Sequence, residues 1–163
     1  MESLLQLLQS YTNARLVVLR TLTNSQVSCP YICQATDLTV SMIRGRQRNA
    51  TLWRPNELGQ LASMLSLPNR FADHLNSVSQ QLTELPPSQL QKLQTLTKLN
   101  VTQLAQRKQD YRLWQYNEIE RLLSSLRMLC EASNAQDELF SKGKSRRRYE
   151  KKGDLERMLR ATQ

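Results

Sequence analysis

The chain has 163 residues with 4 Gly, 5 Pro, 3 Cys and 1 His, and 23 basic side chains against 14 acidic ones give a formal charge of +9. That length buries a core without disulfide or metal staples. So few Gly and Pro argue against collagen-like chains, low-complexity chains and many-stranded β folds. A single histidine, His74, removes most imidazole proton-shuttle and metal chemistry at the outset.

Helical spacing dominates what remains. Leu4, Leu8, Tyr11, Val18 and Leu22 recur at three- and four-residue steps and predict a first helix over 2–26, with Arg15 interrupting its seam. Pro30 breaks the chain after it, because proline lacks a helix donor and restricts the residue before it. A sparse second helix is expected from about Gln34, or from an N-cap at Asp37, to Thr51, weakened by Gly45. Pro55-Asn56 opens a short third helix with Leu58, Leu61, Met64 and Leu65, closed by Pro68. Phe71, Leu75, Val78, Leu82 and Leu85 then form the cleanest heptad in the chain, stopped by Pro86-Pro87.

No Pro or Gly follows until Gly143, and apolar residues keep helical spacing, which predicts one helix over about 88–132. Such a rod would be about 68 Å long at 1.5 Å per residue and would have to pair lengthwise with the earlier helices. The expected fold is therefore all-α: an elongated antiparallel bundle or coiled-coil hairpin over 1–140. A flexible basic linker is expected at 141–153, and a short amphipathic helix at 154–163. No internal repeat of 20–50 residues is visible.

Chemistry is thin along this chain. Cys29, Cys33 and Cys130 are too few and too odd in number for a disulfide framework. A closed zinc site would need Cys130 and His74 to complete it, so small buried thiols are the expectation. Phosphate-loop, dinucleotide and His-Glu-x-x-His motifs do not occur, and Glu118 and Glu120 diverge by about 200° on a helix. No enzyme activity, metal or cofactor is expected. The N-terminus lacks the basic and continuous apolar regions of a signal peptide, and no apolar run approaches the roughly 18 residues of a span. The cytoplasm is the expected compartment.

The excess charge sits mostly in residues 142–163, which hold nine basic and three acidic side chains. Arg146, Arg147, Arg148, Lys151 and Lys152 read either as a phosphate-binding tail for nucleic acid or as a solvated linker. A second nucleic-acid signal lies at 57–71, where Leu61-Ala62, Leu65 and Ser66-Leu67 resemble the first half of a helix-turn-helix. Arg44, Arg46, Arg48, Arg54 and Arg70 would approach phosphates there. The recognition helix would have to be Phe71–Leu85, whose regular seam suits bundle packing better.

The layout of a leucine-rich helix directly after Met1, a helical hairpin, a long helix after a proline break and a mobile amphipathic end resembles the FlgN family. These are cytosolic export chaperones of the flagellar hook–filament junction proteins. Asn100 or Asn117 would correspond to the Asn opening that family's last helical stretch, and Leu139-Phe140-Ser-Lys-Gly143 to its aromatic-glycine element. The resemblance implies a non-enzymatic chaperone in which Phe140, Leu155, Met158 and Leu159 hold a partner protein's helix. Junction proteins and export machinery would be its partners. A nucleic-acid-binding helical protein is the alternative, and a coiled-coil subunit of a larger assembly is the third reading.

Overall fold

The computed structural model describes residues 1–133; the expectations for the linker, the basic tail and the final helix lie outside them. Residues 1–126 form one compact unit. The described residues fold into eight α-helices with no strand, in keeping with the composition. The helices are α1 (Glu2–Asn24), α2 (Cys29–Thr36), α3 (Val40–Arg48), α4 (Pro55–Met64), α5 (Phe71–Glu84), α6 (Pro87–Thr97), α7 (Val101–Gln109) and α8, which opens at 116 and remains helical to 133. Single 3-10 turns, Ala50–Leu52 and Tyr111–Leu113, precede α4 and α8.

The core is built on the α1–α5 pair, the most extensive packing among α1–α7. Leu4, Leu8 and Tyr11 of α1 and Phe71, Leu75, Val78 and Leu82 of α5 are buried where the two helices run antiparallel. The Tyr11 and Phe71 rings meet edge to face, with centroids 5.6 Å apart at 88°, the arrangement that aromatic quadrupoles favour. The Phe71–Leu85 heptad thus packs along α1 and α4 as a scaffold element.

The continuous helix expected over 88–132 is corrected to three segments, α6, α7 and α8, separated at 98–100 and 110–115. Neither break needs Pro or Gly. Lys98 takes a left-handed conformation (φ 59°), and the Asn100 side chain accepts from the Gln103 N–H at 2.7 Å while Gln103 Oε1 accepts from the Asn100 N–H. This reciprocal capping starts a new helix where apolar periodicity alone runs straight through. Asp110 repeats the device, accepting from the Arg112 N–H at 2.9 Å and opening the 3-10 turn. The long rod that would have paired with the early helices is absent from this arrangement.

The expected second helix is likewise two. Asp37, read as an N-cap, is instead the left-handed residue that ends α2 (φ 54°), and Thr39 caps α3 by accepting from the Met42 N–H.

These devices recur because the fold contains an internal duplication at a spacing of 61 residues. Thr36, Leu38, Val40, Arg46, Trp53, Glu57 and Leu61 reappear as Thr97, Leu99, Val101, Arg107, Trp114, Glu118 and Leu122. Asp37 and Lys98 share the left-handed backbone, and Thr36 and Thr97 each donate to the carbonyl four residues earlier at 2.7 Å. A helix, a tight turn, a second helix, a 3-10 turn, a buried tryptophan and a third helix therefore occur twice.

Candidate functional site

Each copy has the layout of a helix-turn-helix. In the first, the eight residues of α2 meet the nine of α3 through Asp37, Leu38 and Thr39. In the second, α6 meets the nine residues of α7 through Lys98, Leu99 and Asn100. The turns close by the left-handed residue and the side-chain cap; α2 and α3 also pack on one another, whereas α6 and α7 are joined mainly through their turn. Ile32, Thr36 and Ile43 are buried in the first module, and Leu93, Thr97, Leu99 and Leu104 in the second.

An ion pair then holds the second helix of each module against the helix that follows. The Arg46 guanidinium donates to both oxygens of Glu57 at 2.7 Å. Arg107 does the same to Glu118 at 3.3 and 2.8 Å. All four side chains are nearly buried. Each carboxylate also receives a backbone donor at the start of its own helix, the Arg54 N–H at 3.0 Å for Glu57 and the Gln115 N–H at 3.1 Å for Glu118. One acidic side chain thus caps its helix and anchors α3 or α7, a bidentate geometry that only arginine supplies. The tryptophans sit beside these clamps. Arg46 lies 5.8 Å from the Trp53 ring centroid, and the Trp114 Nε1–H donates to Ser79 Oγ at 3.2 Å.

Arg15 joins the two copies. Its guanidinium donates to the Ala50 carbonyl of the first 3-10 turn and stacks 3.7 Å from the ring centroid of Tyr116 in α8. Burial pulls its pKa below the ordinary arginine value, opposed by the nearby Tyr116. The residue that interrupts the apolar seam of α1 is therefore a bridging group.

With Ile43 and Arg46 turned inward, the remaining face of α3 is exposed: Val40, Ser41, Arg44, Gln47 and Arg48. Arg54 is exposed just beyond it. Arg44, Arg48 and Arg54 have no ion-pair partner among the described residues, and no acidic residue lies between Leu38 and Asn56. At Gly45 an added Cβ would meet nothing within 4 Å, so the middle of this helix faces open space.

The equivalent face of α7 is exposed too but nearly neutral. It carries Val101, Thr102, Ala105, Gln106, Lys108 and Gln109, with Val101 68% exposed. The exposed Arg112 that follows is paired with Asp110 at 2.8 Å.

The other residues that the sequence singles out fall elsewhere, and the segment 57–71 spans α4, a turn and the start of α5. Ser66 adopts a left-handed turn (φ 55°), and the following helix, α5, turns Leu75, Val78 and Leu82 into the core while its exposed side carries Asp73, Asn76, Gln80 and Thr83 and no basic residue. Arg44, Arg46, Arg48 and Arg54 do come together, around α3 rather than around α5. Arg70 lies apart at the start of α5. Phe140, Arg146, Arg147, Arg148, Lys151, Lys152, Leu155, Met158 and Leu159 lie outside the described residues.

Cys29, Cys33 and Cys130 are free thiols, half-buried rather than buried. Among the described residues no three His, Cys, Asp or Glu side chains converge on a metal position, and no helix is long and apolar enough to cross a membrane. His74 is half-buried, and burial together with Arg70 pulls its pKa below 6.5.

No family model, curated protein or solved structure matches this chain.

Proposed function

We propose that the protein binds duplex DNA through its helix-turn-helix modules, with α3 as the principal recognition helix. The observation that carries this reading is the exposed face of α3. Arg44 and Arg48 lie one turn apart on a helix held rigidly by a three-residue turn and the Arg46–Glu57 clamp. That is the layout in which a second helix enters the major groove. Arginine suits both partners there, since its fork pairs with guanine edges and with phosphate. The role is recognition rather than catalysis.

Titration of the full chain with a labelled generic duplex at several salt concentrations tests the reading. Salt should weaken binding steeply. The double change Arg44→Ala and Arg48→Ala should reduce affinity and lower the salt slope, since it removes two cations from the face that meets the duplex. Retained binding after that change, lost instead when Arg146, Arg147 and Arg148 are neutralised, would move the function to the basic tail. The export-chaperone reading rests on residues outside those described. Failure to bind duplex, with capture of a junction-protein helix that Leu155→Asp and Leu159→Asp abolish, would favour it.

A further inference from the structure

The two modules share a turn, a clamp and a buried tryptophan but differ where they face solvent. Arg48 and Gln109 occupy the same position, the last residue of α3 and of α7. Arg44 corresponds to Ala105, and Gly45 to Gln106. The clamp, the tryptophan and the left-handed turn meanwhile are kept, and Ile32 and Ile43 are answered by the likewise buried Leu93 and Leu104.

We propose that one chain reads an asymmetric duplex, α3 over a guanine-bearing segment and α7 over an adenine-bearing one. The proposal rests on the DNA-binding reading and adds what is read. Arginine pairs bidentately with the O6 and N7 of guanine, and glutamine with the N6 and N7 of adenine. Gln106 and Gln109 are both exposed on α7, whereas the face of α7 that carries Leu104 and Arg107 is buried. Ser79 of α5 donates to the Arg107 carbonyl on that buried side. The charge divides in the same way. Arg54 adds phosphate attraction beside the two arginines of α3, while Lys108 is the one exposed cation on α7. A symmetric dimer of identical modules requires a palindromic site; a single chain with two unlike modules does not.

Selection of duplexes from a randomised pool by the full chain tests this. The expected consensus is non-palindromic, with a guanine-bearing and an adenine-bearing segment. The double change Gln106→Ala and Gln109→Ala should erase the adenine preference, about tenfold in affinity for the selected site, and leave the salt slope unchanged. Arg44→Ala and Arg48→Ala should erase the guanine preference and lower the slope. Gln109→Arg should shift the second segment towards guanine. All of these positions are exposed, so a helical circular-dichroism signal equal to that of the unmodified chain checks that each variant is folded. A palindromic consensus, or glutamine variants with unaltered base preference, would overturn the asymmetric reading while leaving DNA binding intact. Failure of the unmodified chain to retain any duplex would instead sink the DNA reading itself.

Discussion

The Arg15 guanidinium lies 3.7 Å from the centre of the Tyr116 ring, joining a helix that precedes the first module to the helix that ends the second. The same side chain donates to the Ala50 carbonyl, so it meets a π face and a backbone acceptor at once. In a site this dry a cation–π contact is worth about 2 kcal/mol or more, and truncation also opens a cavity. Arg15→Ala should cost on the order of 2–4 kcal/mol in urea denaturation. Combined with Tyr116→Leu, the total loss should be smaller than the sum of the two single losses. Additive losses in the double variant would show that Arg15 and Tyr116 do not interact.

The Arg46–Glu57 and Arg107–Glu118 clamps make a second prediction. Removing one partner of a buried pair leaves an uncompensated charge and costs about 3–5 kcal/mol, whereas replacing both with apolar groups is far milder. Glu57→Ala and Glu118→Ala should each lower the melting temperature sharply, since each also removes a helix cap. Arg107→Met combined with Glu118→Leu should restore much of the loss. The measurement is a thermal double-mutant cycle, and a double variant as unstable as the single one would contradict the clamp's electrostatic role.

Gly45 sits inside α3 with negative φ and open space around its Cβ position, so nothing in the packing requires glycine there. Alanine is favoured over glycine in a helix interior by about 0.5–1 kcal/mol. Gly45→Ala should therefore raise the melting temperature of the free protein. A fall in stability would mean that α3 is not the regular helix described.

His74 gives the fold a defined acid response. Burial and the Arg70 charge hold its pKa below 6.5, with Asp73 opposing them, so the folded state prefers the neutral ring. The unfolded chain takes up the proton first as the pH falls. The stabilising contribution of the neutral ring is therefore complete above about pH 6.5 and lost as pH drops through the folded-state pKa. His74→Gln should flatten the decline of melting temperature between about pH 7 and 5. An unchanged pH profile would mean that the ring is as solvated as in the unfolded chain.

Apolar spacing makes some of this architecture legible and hides the rest. The helices α1, α4 and α5 follow from leucine periodicity bounded by Pro55, Pro68 and Pro86, and their buried residues fall on the expected stripes. The segmentation of 88–132 does not follow from it, because Lys98, Asn100 and Asp110 break the chain through left-handed backbone and side-chain caps while the apolar spacing continues. Asn100 with Gln103 three residues on is the signal that marks the break.

The site is half-visible for a related reason. Arg44, Arg46, Arg48 and Arg54 stand out as a basic group, but a non-glycine residue at the turn, Asp37, conceals the helix-turn-helix that presents them. Ser66, with the same backbone, joins α4 to α5, where the exposed side carries no arginine. The duplication is hard to see because its 61-residue spacing exceeds the usual repeat lengths. Its identities also sit at clamp, cap and tryptophan positions rather than in a run.

The most direct measurement of duplex binding through α3 is a backbone amide spectrum of the labelled full chain, titrated with duplex DNA. Shifts are expected to concentrate at Thr39–Arg48, with a second set at Asn100–Gln109, while the buried seam of α1 and α5 stays in place. Shifts confined to residues 134–163, or none at concentrations that saturate a known duplex binder, would contradict it.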